Sequence, residues 1–228
     1  MRLTLMNRFV LLAAAALLTA LPVNAQMSVP PGQGTAFHDT SMLKLPAGAK
    51  VAIFEFEDLE CPACAHDAPI VRAAIVKYKI PYLRHDFPLP MHRWSKDAAV
   101  TARYLQDKVS LAVAENFRRD VFAAQTSISS KDDLNNFTAK WFARNGQKMP
   151  FVMDPNGLFI AEVNADYTLG QRLGVAETPT ILVLTERGWI QIKDITQLYS
   201  TIDAVIAQSG AAKPVVHNNV KKPVTTQK

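Results

Sequence analysis

Both cysteines of this 228-residue chain stand in one tetrapeptide, Cys61-Pro62-Ala63-Cys64. Two cysteines that close cannot staple distant loops, so a disulfide-scaffold mini-protein is excluded. A four-cysteine structural zinc site is excluded as well. The flanks are as informative as the pair. Lys50 to Phe56 (KVAIFEF) is short, apolar and bounded by turn residues, which predicts a buried strand with one acid, Glu55, embedded in it. Pro62 suits the first turn of a helix, where its missing N–H costs nothing. Ile70, Val71, Ala74 and Ile75 continue a helical stripe to about Lys77, with a kink expected at Pro69. The chain therefore folds around a strand that runs into a loop and then into a helix, with a thiol at the helix start.

Further elements follow the same logic. Ile80 to Phe87 predicts a second strand, closed by Pro88-Leu89-Pro90. Ser95–Gln106, Ser110–Gln125 and Lys131–Arg144 read as helices with caps at Ser95, Ser110 and Ser130, and Asp166–Leu173 as a short helix ended by Gly174. Thr180–Leu184 is a β-branched strand and Trp189–Lys193 its hairpin partner, with Ile195–Ala207 as a closing helix. The order is strand–helix–strand, a helical block, then strand–strand–helix. This is an α/β layered sheet with an inserted helical subdomain.

The ends set the compartment. Met1 to Arg8 is cationic, Phe9–Leu21 is an apolar run shorter than the ~20 residues a spanning helix needs, and Val23 and Ala25 are small. This predicts a signal peptide over 1–25, cleaved after about Ala25, and an exported, periplasmic protein. An arm covers 26–45, and a basic, disordered tail covers 209–228. The formal net charge of +5 belongs to these ends. Of the 25 Lys and Arg, Arg2 and Arg8 lie in the leader and Lys213, Lys221, Lys222 and Lys228 in the tail, leaving 19 bases against all 20 acids over 26–208. Nucleic acid is not an expected partner, because that footprint needs a basic folded surface.

The chemistry of the pair is narrowed by spacing. Haem attachment needs Cys-x-x-Cys-His, whereas position 65 is Ala and His66 comes one residue late. A disulfide across four residues constrains little of the unfolded chain, which argues against a structural bridge. A metal carrier, for copper or zinc, would use Cys61, Cys64 and His66 with one more ligand. Redox exchange is the leading reading: the helix N-terminus lowers the pKa of Cys61, the attacking sulfur, and Cys64 on the same helix face resolves the mixed disulfide. Pro62 and Ala63 bring no charge or donor to the thiolate. Glu55, Glu57, Asp58, Glu60 and Asp67 surround it, and no Lys or Arg occurs between Val51 and Val71. Nearby negative charge raises a thiol pKa, so a mild oxidant is expected. His66, His85-Asp86 and His92 are expected as surface polar residues, and Trp94, Trp141 and Trp189 as packing residues.

Lys50 to Ala68 (KVAIFEFEDLECPACAHDA), Ala176-Glu177-Thr178-Pro179-Thr180 and the helical block between them resemble the exported DsbA-like thiol:disulfide oxidoreductases of the thioredoxin fold. The resemblance spans about residues 46–208. It implies a first half of the fold over 46–90, a helical insertion over 91–169 and a second half over 170–208. It also implies a cis peptide bond at Thr178-Pro179 facing the cysteines, with the Thr178 backbone available to an extended substrate. Glu55 becomes a buried acid that takes the proton of Cys64. The implied enzyme is a periplasmic oxidase of exported cysteine-containing proteins, with a reductase or isomerase as the alternative. It would need no cofactor or metal beyond the Cys61–Cys64 disulfide, would be recycled by a membrane redox partner, and would be a monomer, since 26–45 is too short for a dimerisation domain.

Overall fold

The computed structural model describes residues 37–210. The predicted signal peptide at 1–25, the arm through residue 36 and the tail from residue 211 lie outside the described residues. In chain order the elements are β1 (Val51–Glu57), α1 (Pro62–Tyr78), β2 (Tyr82–Asp86), α2 (Ser95–Lys108), α3 (Leu111–Ala124), α4 (Lys131–Arg144), α5 (Leu158–Leu173), β3 (Thr180–Thr185), β4 (Gly188–Ile192) and α6 (Leu198–Gln208). Short 3-10 turns at Gln125–Ser127 and Ile195–Gln197 follow α3 and precede α6.

The sheet has the order β2-β1-β3-β4. β1 runs parallel to β2, with Ile53 opposite Tyr82, and antiparallel to β3, with Phe54 opposite Leu182. Parallel neighbours need a crossover, which α1 supplies. β3 and β4 form the hairpin, with Val183 opposite Ile190. Every residue of β1 is buried, because both faces of the sheet are covered. Val51 and Ile53 pack with Ile181 and Val183 against Val71 and Ala74 of α1 and Leu198, Ile202 and Val205 of α6. On the other face, Ala52, Phe54, Phe56, Leu182 and Leu184 meet Phe87, Leu173 and Val175. The described part of the arm seals that second face with Phe37, Met42, Leu43 and Leu45, and His38 N–H donates to the Leu173 carbonyl at 2.8 Å.

The helical subdomain has its own core around Trp94, Phe117, Trp141 and Phe142, and that core is continuous with Leu59, Cys61, Cys64 and Ala68 of the first half. Trp94 and Trp141 pack as expected, each with its indole N–H satisfied, by Ile128 O and Asp120 Oδ2 respectively. Trp189 stacks at a tilt on Phe37, 5.1 Å between centroids.

Several local expectations are corrected. The helix expected to begin at Asp166 begins at Leu158, so the boundary drawn between 169 and 170 falls inside one continuous helix. Its N-cap is Gly157 in the left-handed region (φ 68°) with no side-chain cap, so the residues that usually announce a helix start are missing. Ser110 and Ser130 cap α3 and α4, but Ser95 does not cap α2; its hydroxyl donates to Asp58 instead. α1 continues on both sides of Pro69, which removes only one i→i−4 hydrogen bond.

Candidate active site

Cys61 is the N-cap of α1, with extended backbone (φ −78°, ψ 121°), and Pro62 occupies the first helical turn. The helix therefore opens with free N–H groups beneath the Cys61 sulfur. Both cysteines are free thiols in this structure and both residues are buried. Opposite them, the loop into β3 carries a cis Thr178–Pro179 bond. The Cys61 thiol donates to the Thr178 carbonyl at 3.2 Å. The Thr178 hydroxyl is buried without a nitrogen or oxygen partner. The Cys61 pKa falls from 9.0 to about 6. The Cys64 thiol's hydrogen bond lowers it most, burial opposes the shift, and the Thr178 side chain and the Cys64 and Ala63 N–H groups lower it further. Of the two residues between the cysteines, Ala63 touches the sulfur through its N–H, and Pro62 fills the first helical turn.

Cys64 is fully buried, and burial pushes its thiol well above the usual range; its bond to Cys61 and the negative charge of Glu57 add to this. One group works the other way. The Asp58 N–H donates to Cys64 Sγ at 3.4 Å. The Asp58 carboxylate is itself saturated. One oxygen accepts from Glu60 N–H (2.8 Å) and the Ser95 hydroxyl, the other from Leu89 N–H (2.7 Å) and His92 Nδ1 (2.6 Å). Glu60 reaches the same place, accepting the Trp94 and Ser95 N–H groups at 2.6 and 2.9 Å. The acids of the catalytic loop are therefore acceptors for the start of α2 and the segment before it.

The acids of β1 and β2 find their partners at a distance. Glu57 lies 3.2 Å from Arg84 Nε and 3.3 Å from Arg118 of α3. Arg118, fully buried, also binds Asp86, which Arg103 bonds as well, and those two arginines hold the Asp86 pKa at about 2 against the opposing effect of burial. Arg84 in turn forms a forked pair with Glu115. The crowded acids expected to press on Cys61 are thus largely paired or hydrogen-bonded, and the causes lowering its pKa are hydrogen bonds. Glu55, by contrast with Glu57 and Asp86, has no cation in hydrogen-bond contact. Its Oε2 accepts from the Tyr82 hydroxyl at 2.6 Å, and its Oε1 is buried without a partner. Burial, then the charge of Glu57, raise its pKa from 4.5 to about 8.

The fold brings Cys61, Cys64, Thr178 and Pro179 together, Cys61 and Thr178 from positions 117 residues apart. Glu55 is buried as expected, but its hydrogen bond goes to Tyr82, and the carboxylate whose charge acts on Cys64 is Glu57. His66 is exposed and bonded to Asp67. His85, Asp86 and His92, expected at the surface, are instead tied to Asp166, to Arg103 and Arg118, and to Asp58. Gln125 was not anticipated: its amide donates to the carbonyls of Leu59 (2.8 Å) and Cys61 (3.0 Å), binding the helical subdomain to the catalytic loop. Nothing in its surroundings marks it, since the contact spans 64 residues.

Residues 46–204 match a family model described as Thioredoxin. No curated protein matches the chain. Among solved structures, a variant of α-DsbA1 of Wolbachia pipientis with two cysteines replaced by alanine aligns with a TM-score of 0.60 at 18% identity, over 73% of this chain and 95% of that one. ScsC of Proteus mirabilis, in a transitional conformation, gives 0.55 at 17%, over 72% and 71%. DsbA2 of Pseudomonas aeruginosa gives 0.52 at 18%, over 71% and 91%. At such identities the likeness is one of fold: a thioredoxin fold with a helical insertion, as in these DsbA-type structures.

Proposed function

The chain belongs to the thioredoxin family, and on that premise we propose that it is an exported thiol:disulfide oxidoreductase working through Cys61 and Cys64. The observation that carries this reading is the contrast between the two sulfurs. One is held near pKa 6 at a helix start, and the other is buried with its thiol form favoured. In the oxidising direction a substrate thiolate attacks Cys61 Sγ of the disulfide form. The S–S bond breaks toward Cys64, which leaves as a thiolate and, given its raised pKa, takes up a proton. Glu55, neutral at pH 7 with a pKa of about 8, is proposed to supply that proton indirectly, since its own hydrogen bond goes to Tyr82 and not to Cys64. A second substrate thiolate then attacks the substrate sulfur of the mixed disulfide. It expels Cys61 as a thiolate that stays ionised at neutral pH. Two electrons pass from the substrate pair to Cys61 and Cys64, and the second proton goes to solvent. The Thr178 backbone at the cis-proline lies beside the attacked sulfur, where an extended substrate segment could pair with it.

A thiolate pKa of about 6 lies between a free cysteine, about 8.5, and the most oxidising members of this superfamily, about 3.5. It supports oxidase activity of moderate strength, with cysteine-containing exported proteins as substrates and a membrane redox partner for recycling. The expected reduction potential falls between ~−120 and ~−270 mV. The test sets oxidative refolding of a reduced multi-cysteine protein beside insulin reduction. Refolding should be the faster activity, Cys61→Ser should lose both, and Cys64→Ser should accumulate thiol-sensitive adducts with substrates. Absence of those adducts would refute the assignment of Cys64 as the resolving sulfur.

A further inference from the structure

The connection between α4 and α5 carries a feature that the redox site does not use. Phe151 at its tip is 104% exposed, and Met149, Val152 and Leu158 around it are also among the large apolar side chains left in solvent. Folded proteins scatter single apolar residues over their surfaces, but four within residues 149–158, with an aromatic at the apex, mark a contact surface. Three exposed cations precede and enter it, and one exposed acid, Glu162, follows a turn after Leu158. Lys140 and Arg144 on the last turns of α4 and Lys148 in the loop are all exposed, and none makes an ion pair among the described residues. The one acid between Lys140 and Ala161 is Asp154, and it is turned inward: its Oδ2 accepts the Ile160 N–H at 2.8 Å at the start of α5. The segment therefore presents exposed apolar side chains with unpaired cations before and among them.

We propose that this loop is an interfacial anchor that dips Met149, Phe151, Val152 and Leu158 into a bilayer bearing anionic headgroups, with Lys140, Arg144 and Lys148 on the phosphates. A short connection with four exposed apolar side chains and Lys148 among them suits insertion among lipid headgroups better than the ~800 Å² face of a protein interface. Cations beside a buried apolar tip are the arrangement by which peripheral proteins select anionic membranes. No helix of the described residues is long and apolar enough to cross a membrane, so the contact is peripheral. α4, whose 14 residues span about 20 Å, separates this segment from the turn that carries Gln125.

The experiment compares the full chain with Phe151→Ser and Lys148→Glu in sedimentation with protein-free vesicles. One set is phosphatidylethanolamine with phosphatidylglycerol, the other phosphatidylcholine alone. The parent should bind the anionic vesicles, lose that binding in high salt, and bind phosphatidylcholine far more weakly. Phe151→Ser should weaken binding by about fivefold or more, and Lys148→Glu by about tenfold, with insulin reduction unchanged in both as evidence of an intact fold. All three proteins carry the same termini, so the difference reads the loop alone. Equal binding by parent and variants would overturn the proposal, as would no binding to protein-free anionic vesicles. Capture only by native membranes that contain their proteins would overturn it in favour of a protein partner.

Discussion

Glu55 and Cys61 are both displaced from the pKa of a free side chain, in opposite directions and for opposite reasons. Glu55 is desolvated with one hydrogen bond, so its neutral form is favoured and its pKa rises to about 8. A raised pKa means that the acid's contribution to stability is fully present below about pH 4.5 and is lost as the pH rises through about 8. Glu55→Gln keeps an acceptor for Tyr82 and removes the ionisation. The variant should match the parent near pH 4.5 and exceed it by up to about 3 kcal/mol at neutral pH, read from denaturant melts across that range. Its turnover should fall, because the proton of Cys64 loses its buried carrier. For Cys61 the sign reverses. The lowered pKa stabilises the folded, reduced protein above the unfolded thiol's pKa of 9.0, and that stabilisation is lost as the pH falls through about 6. Alkylation of the reduced protein by iodoacetamide should follow a single titration near pH 6. A midpoint near 9 would show that the Cys64, Thr178 and backbone donors do not act on the sulfur.

Among the elements, α5 meets the sheet at Gly170. A Cβ built there would run into the ring of Phe87 and lie 3.0 Å from Phe56, both packed in the face opposite α1. Gly170→Ala should therefore cost about 1–3 kcal/mol by overpacking, despite the better helix propensity of alanine, and thermal melts would show it. Gly174 ends the same helix at φ 89°, donating to Gly170 O at 2.9 Å. What could be read from the sequence at this scale depended on whether a signal was local. β1, the hairpin and the start of α1 announce themselves within a dozen residues, through an apolar run, a Glu-Arg-Gly turn and a proline. The first two turns of α5 do not, since Gly157 offers no side-chain cap. Ser95 offers a cap signal, yet its hydroxyl is claimed by Asp58, 37 residues away. The cysteines and the Thr-Pro pair were legible by resemblance. The neutralising partners of the acids were not, because Arg118 stands 61 residues from Glu57 and nothing local links them.

At the scale of the whole molecule, the first half of the fold and the helical insertion are locked by charge as well as by apolar packing. Arg118 of the insertion joins Glu57 of β1 and Asp86 of β2 with all three side chains out of solvent. Arg118→Ala would leave Glu57 with Arg84 and Asp86 with Arg103 as sole cationic partners, and should destabilise the chain by about 3 kcal/mol. The difference from the parent should narrow as the pH falls, because Asp86 without Arg118 takes up a proton more readily than the parent's Asp86 with its pKa of about 2, and a pH series of unfolding midpoints measures it. Gln125 joins the same parts by a neutral link, its one amide shared between the carbonyls of Leu59 and Cys61. That link makes the insertion a support of the thiol loop's backbone and not only of the surface. A chimera taking its helices from a relative without an amide at this point would leave two carbonyls of the thiol loop unanswered, and its sulfur chemistry would drift although every cysteine and proline had been kept.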